Sequence, residues 1–424
     1  MRTSRSTQVL VAGAGPVGLL AALVLAQRGI NVAIIDEERR PGAYSYALAL
    51  QPQTLELFSR LGLLERILRH GKLIDRIAFC DRNQKLAELP FKDLDLPEPA
   101  MLVIGQDQLE RLLEERLRER DIHVAWCHRL SAVEQNDTRV RATVDALELG
   151  GGGYATYTTD WEVDDSFTYD VDFILGCDGH RSTLRRALGL GFESVAPASS
   201  YAVFEFSLPP QAEADSEMRV ILGDKNTDVL WPLNDDRGRI SFELGTDAAA
   251  AMTREKQRLA IYMGRHAYPH LGAEDFVRLA RERAAWLGNG YADVRWAILV
   301  RFERRLAERM GVGRCWLAGD AAHMAGPVGI ASMNVGFREA ERLGGMMIDV
   351  LNRRANLDAF EAYNAERLAA WHELLAPQVV ARHDAPAWVQ AHAAQIAESL
   401  PADGELRAKM LAALGLEVAA LAPT

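Results

Sequence analysis

Cysteine is scarce in this chain of 424 residues: four occur, at 80, 127, 177 and 315, and no two form a C-x-x-C pair. A disulfide framework and a structural zinc site are therefore disfavoured, and a reducing cytoplasm is the expected compartment. Basic surplus is also missing, since 48 Lys and Arg face 59 Asp and Glu, a formal charge of −11. Such a chain is a poor general binder of nucleic acid or anionic membrane. Internal repeats are absent, and composition is near the globular average.

Long apolar runs are missing too, with one near exception. Val9 to Ala26 carries no charged side chain and resembles a leader or anchor. At 18 residues it is shorter than the ~20 a spanning helix needs, and Gly13, Gly15, Pro16 and Gly18 interrupt it. The better parse is a strand Gln8–Ala12, a glycine turn, a helix Val17–Arg28 closed by Gly29, and a second buried strand Asn31–Ile35.

The turn reads Gly13-Ala14-Gly15-Pro16-Val17-Gly18, a G-x-G-x-x-G between strand and helix. Its glycines allow a tight turn, close approach of a pyrophosphate, and close packing of helix on strand. The helix N-terminus then offers free N–H groups to phosphate. Asp36, 23 residues after Gly13, ends the second strand where an acid accepts ribose hydroxyls. The order strand, turn, helix, strand, acid predicts a dinucleotide site, without choosing between NAD and FAD.

Further along, apolar spacing predicts helices over Gln53–His70, Gln106–Arg120, 253–265 and 273–285. Strands are expected through 123–174, with Gly150–Gly153 as a hairpin tip, and over Tyr201–Leu208, Met218–Leu222, Val229–Leu233 and Arg239–Leu244. Two more strand-end motifs stand out. Phe173–Gly176 runs into Cys177-Asp178-Gly179-His180-Arg181-Ser182, and Cys315–Ala318 into Gly319-Asp320-Ala321-Ala322-His323. After Pro327-Val328-Gly329 a helix from about Met333 points its positive end forward. Three such sites suggest one long, extended dinucleotide.

In these motifs the sequence resembles the para-hydroxybenzoate hydroxylase family, the group A FAD-dependent monooxygenases. The matching pieces include Gly13–Gly18 with Asp36, Asp178–Ser182, and Leu317–His323. Leu50-Gln51-Pro52-Gln53-Thr54-Leu55-Glu56 and Gly105-Gln106 are also typical, and the whole covers roughly residues 8 to 350. The resemblance implies an α/β fold: a Rossmann-like FAD-binding domain from 1–72, 100–186 and 290–372, with an inserted β-sheet substrate domain from 73–99 and 187–289. A helical C-terminal segment, 373–424, is expected to cover the chain's own core or form a dimer surface, so the chain is a monomer or homodimer.

By the same resemblance, Gly13, Gly15, Pro16 and Gly18 hold the FAD pyrophosphate and Asp36, with Glu37, the adenosine ribose. Leu130 touches the adenine through its backbone, and Gln106 reaches the flavin side. Asp178 and Gly179 belong to a motif serving FAD and nicotinamide cofactor alike. Asp320 meets the ribityl chain, and Pro327, Gly329, Met333 and Asn334 line the isoalloxazine. Two departures stand out. Tyr46 occupies a position where the family usually has an arginine on the pyrophosphate, a charge that Arg39 or Arg40 could replace. Ile330 and Ser332 stand where glycines are common.

The implied reaction uses NAD(P)H to reduce the FAD and O2 to form a flavin C4a-hydroperoxide, which hydroxylates an aromatic or polycyclic small molecule. Phe204, Arg219, Trp231 and Pro232 are candidates to line the substrate pocket, although aromatics on strands are commonly core. Epoxidation, Baeyer–Villiger oxidation, a non-oxygenating FAD oxidoreductase and a flavin-bound subunit without turnover remain alternatives. No metal-ligand spacing competes.

Overall fold

A computed structural model of the chain describes residues 4–39, 49–149, 161–208, 216–234, 236–256, 260–263, 266–287, 292–326, 328–329, 332–375 and 379–419. The strand Val9–Ala12 is followed by the helix Pro16–Gln27 and the strand Val32–Ile35. These strands pair in parallel within a six-stranded sheet. Phe173–Gly176 lies against Val9–Ala12, and Cys315–Leu317 lies beyond it, both parallel. Val124–Ala125 closes one edge and the antiparallel Gly311–Val312 the other. All three motif-bearing strands are therefore neighbours, and their C-terminal ends open on one edge of the sheet, where α/β folds bind ligands.

The apolar run is explained by burial. Every residue from Gly18 to Leu25 is buried, because the helix is flanked by the sheet and by the helices Gln106–Arg118 and Ser332–Leu351. A helix apolar all round belongs at the centre of a fold. Among the described residues no helix is long and apolar enough to cross a membrane. On the other face lies a four-stranded sheet of Ser4–Ser6, Trp161–Val171, Val140–Leu149 and His128–Gln135.

The second body is an eight-stranded sheet. In spatial order it contains His323–Met324, Ala292–Ala307, Phe192–Ser207, Arg237–Leu244, Thr227–Leu233, Glu217–Leu222, Arg76–Cys80 and Lys85–Pro90. Its strands alternate between two buried faces. One face carries Phe204, Phe242 and Leu230 against Phe276 of the helix Ala273–Arg283. The other carries Val229, Trp231 and Leu233 against Met101, Val103 and the C-terminal segment.

Several expectations need correction. The helix Gln53–His70 is two helices, Pro52–Arg60 and Leu64–His70, separated at Gly62, whose φ of +70° no continuing helix adopts. The helix expected over 253–265 is Thr246–Lys256, and Ala260–Met263 pairs as a strand with His266–Pro269. The expected domain boundary at 290 assigns Ala292–Ala307 to the FAD side. That strand instead pairs along Phe192–Ser207 in the eight-stranded sheet, and only its end, Leu306 and Ala307, enters the core around the first helix. The tail is not wholly helical, for Val379–Ala381 pairs with Leu416–Val418 beside its two helices. Its Val389, Ile396, Leu411 and Leu416 pack on the eight-stranded sheet. The hairpin tip Gly150–Gly153 lies outside the described residues.

Candidate FAD and substrate site

The three motifs converge on two cavities that share Gly15, Cys177 and Gly179. The first, about 350 Å³, runs past Gly13, Asp36, Glu37, Leu130 and Asp178. The second, about 320 Å³, runs past Pro16, Gln106, Asp320, Gly329 and Met333 to Trp231 on the eight-stranded sheet. Together they form one elongated trough from the second strand of the nucleotide fold to the second body.

The glycines of the turn do different jobs. Gly13 has φ of +101°, and a Cβ there would stand 2.2 Å from the Cys177 carbonyl oxygen, so the fold itself demands glycine. A Cβ on Gly18 would meet the Gly13 oxygen at 1.9 Å, which fixes helix against turn. Gly15 is unlike both: its φ is −68° and a Cβ would meet no protein atom within 4 Å. Its bareness leaves open a cradle for a ligand, as the second glycine of a dinucleotide turn does.

The acids are held by backbone donors. Asp36 accepts N–H bonds from Ala14 at 2.6 Å and Glu38 at 2.8 Å. Burial raises its pKa above the usual value, and those two N–H groups oppose the rise. Asp178 Oδ2 accepts from Thr183 at 2.7 Å and Leu184 at 3.0 Å, while its buried Oδ1 has no hydrogen-bond partner among the described residues. Asp178 lines the first cavity between Cys177 and Gly179, which line both, and an acceptor without a partner there suits a donor such as a sugar hydroxyl. Asp320 opens into the second cavity. The protein around it still raises its pKa by desolvation, against the pull of His323. Burial also holds the Cys177 thiol neutral, far above its usual titration range.

Two devices that the sequence did not announce hold the motifs together. Arg185 donates to the His180 and Ala321 carbonyls, both at 2.8 Å, and so ties the Asp178 loop to the Asp320 turn. Glu339, on the helix Ser332–Leu351, bonds His323 and the Trp371 indole from below that turn. Pairing motif residues with distant partners needs the fold, so no local signal reveals either one.

The remaining candidates divide. Trp231 lines the second cavity, together with Phe302 and Pro401, which the expected boundaries assign to the FAD domain and the tail. Phe204 does not reach it: it packs on Phe242 and Phe276 across the sheet. Arg219 is on that far face as well, 4.6 Å over the Trp286 ring. Pro232 follows the parity of Leu230 and points the same way. Asn334 turns its side chain to the Ala49 carbonyl at 2.7 Å and the Gln51 N–H at 3.0 Å, so it clamps the chain beside the cavity. Arg40, Tyr46, Pro327 and Ile330 lie outside the described residues.

A bare glycine cradle, an orphaned acceptor and acids spaced along an extended trough fit FAD, and the arrangement defines an FAD-binding α/β flavoprotein. The chain matches the FAD binding domain family model over residues 6–377 and belongs to that family. It is 30% identical over 372 residues to 6-methylpretetramide 4-monooxygenase of Streptomyces rimosus, covering 87% of this chain and 60% of that protein. The chain thus spans less than two thirds of that relative's length. Para-nitrophenol 4-monooxygenase of Pseudomonas sp. (strain WBC-3) is 27% identical over 385 residues, 88% of this chain and 85% of that one. The crystal structure of p-nitrophenol 4-monooxygenase from Pseudomonas putida DLL-E4 superposes with a TM-score of 0.72 at 21% identity. It covers 97% of this chain and 94% of that chain, and it shows the shared fold.

Proposed function

We propose that this flavoprotein is an NAD(P)H- and O2-dependent monooxygenase that hydroxylates an aromatic or polycyclic small molecule. The observation that carries the reading is the trough itself, which leads from the nucleotide turn to an aromatic wall on a separate sheet. FAD, when bound, would supply the redox chemistry of hydride acceptance and oxygen activation.

The chain's own groups bind, orient and exclude water. Asp36 and Glu37 suit the adenosine ribose, the Leu130 backbone the adenine, and the Gly15 turn the pyrophosphate. Asp178 Oδ1 and Asp320 suit hydroxyls further along, with Gln106 beside the flavin end. The N-terminal turn of the helix Ser332–Leu351 brings backbone N–H groups near Met333 to the cavity, where they can stabilise negative charge on a reduced ring. Trp231, Phe302 and Met324 form the apolar wall that would receive an aromatic ring and keep water away.

The decisive experiment supplies FAD-loaded protein with NADH or NADPH, 18O2 and a panel of phenols and polycyclic aromatics. Hydroxylated product carrying one 18O atom, in step with nicotinamide oxidation, supports the reading. Nicotinamide oxidation that yields only hydrogen peroxide with every compound points instead to a non-oxygenating oxidoreductase.

A further inference from the structure

A third cavity, of about 540 Å³, lies beside the trough and shares no lining residue with it. It is lined by five arginines, Arg69, Arg111, Arg237, Arg239 and Arg295, and by the two acids Asp107 and Glu205. His70 also faces it. In a chain of formal charge −11 this local positive excess is conspicuous.

The carboxylates are committed. Glu205 is buried and takes Arg239 at 2.6 Å and Arg237 at 3.1 Å, and Asp107 takes Arg111 at 3.0 Å. Desolvation alone would raise the Glu205 carboxyl; its two arginines bring it below the usual range, so it stays ionised. Arg239 is further fixed 5.0 Å over the Trp296 ring. That leaves Arg69 and Arg295, both exposed, with no carboxylate partner among the described residues.

The cleft adjoins the trough. Gly105 lines one and Gln106, the next residue, lines the other. Leu233 lines the cleft and Trp231 the trough, two positions apart on one strand face, or about 7 Å.

We infer that this arginine cleft binds a phosphate or carboxylate group on a small molecule whose other end enters the flavin trough. Planar guanidinium forks on two strands and two helices suit a tetrahedral or planar oxyanion, and the fixed Arg237–Glu205–Arg239 group keeps the neighbouring charges in place. Two sources share this chemistry: the phosphates of a nicotinamide dinucleotide and an acidic arm on the aromatic substrate. The inference rests on the proposed turnover at the trough for its purpose, but its test does not.

The experiment titrates FAD-loaded protein calorimetrically with inorganic pyrophosphate, adenosine 2′,5′-bisphosphate and salicylate. The parent protein, an R69E/R295E variant and an R69K/R295K variant are compared. Charge reversal should weaken binding of at least one probe about tenfold or more, the lysine pair should keep most of it, and the 450 nm flavin band should not move. Tighter binding of the bisphosphate assigns the cleft to the dinucleotide, and tighter binding of salicylate to the substrate. Affinities unaltered by charge reversal, or no binding of any probe to the parent protein, overturn the inference. Loss of probe binding in a protein that oxidises no nicotinamide leaves the cleft standing and removes only the proposed reaction.

Discussion

The His323 ring and the Glu339 carboxylate meet at 2.6 Å in a fully buried cluster beneath the Asp320 turn. Trp371 stacks on His323 with centroids 3.7 Å apart and donates its indole N–H to the other Glu339 oxygen at 2.8 Å. Arg367 adds a longer contact of 3.4 Å. The cluster joins the turn bearing Asp320 to the helix whose N-terminus faces the trough, so it positions two walls of that cavity at once. Burial would raise the Glu339 carboxyl, but His323, Arg367 and the indole together hold it below the usual range.

Glu339→Ala strands a buried imidazole and indole, and a loss of about 3–5 kcal/mol is expected in denaturant unfolding. Glu339→Gln keeps the shape and should lose less. Because the folded carboxyl is depressed, its contribution is present above the unfolded titration range and disappears as pH falls through the folded one. The parent and Glu339→Gln proteins should therefore converge in stability on acidification. A gap that stays constant with pH would show that the charge of Glu339 has no part in it.

Gly13 and Gly15 separate folding from binding. Gly13→Ala forces a Cβ onto the Cys177 carbonyl and should yield little folded protein. Gly15→Ala meets no protein atom within 4 Å, so apoprotein melting should match the parent, while FAD affinity should fall about tenfold or more as the methyl enters the proposed pyrophosphate cradle. Fluorescence titration of apoprotein with FAD measures the second effect. Equal FAD affinity in Gly15→Ala would remove the turn from the pyrophosphate site.

Local patterns made the nucleotide half of the molecule legible. Glycine spacing, the acid at Asp36 and the two later strand-end motifs are short-range signals, and each appears in the structure beside the same trough. The helix over Gln106–Arg118 was equally readable, because its leucines recur at helical spacing. What failed was what depends on partners. Residues 292–307 carry no signal that they pair with Phe192–Ser207, so Phe302 was assigned to the wrong body. Phe204 and Trp231 look alike as strand aromatics, and only sheet parity puts them on opposite faces. The contribution of Pro401 depends on how the tail lies across the sheet. The Gln51 amide donates to its carbonyl at 3.2 Å, a link that spans 350 positions.

Asp228 should give a pH dependence of the opposite sign to Glu339. It is fully buried under Arg283 at 3.1 Å, the Glu243 N–H at 2.8 Å and Asn226, yet burial pushes its carboxyl up to about 7. An unfolded aspartate titrates near pH ~3.9, so between these values the folded chain binds more protons than the unfolded one. This group's contribution therefore falls as pH rises from about 4 to 7. In Asp228→Asn the term is gone, and urea unfolding across that interval should show a stability curve less steeply falling than the parent's. An unchanged slope would mean that Arg283 keeps Asp228 ionised throughout.

Trp231 and Phe204 provide the sharpest division between pocket and core, because both are strand aromatics of one sheet. Trp231 lines the trough while packing in the same apolar cluster as Met101 and Val103, so Trp231→Phe, which keeps an aromatic ring, should cost less stability than Phe204→Ala while altering KM or product distribution for the proposed aromatic substrate. Phe204 is sealed between Phe242 and Phe276 on the far face, and Phe204→Ala opens a cavity there costing about 3–5 kcal/mol. Its surviving folded fraction should keep the parent KM, since no trough atom has moved. Steady-state kinetics with unfolding curves on both variants reads the two effects separately. A KM shift in Phe204→Ala with none in Trp231→Phe would mean that substrate approaches the sheet from the helix side, and that the trough ends short of its aromatic wall.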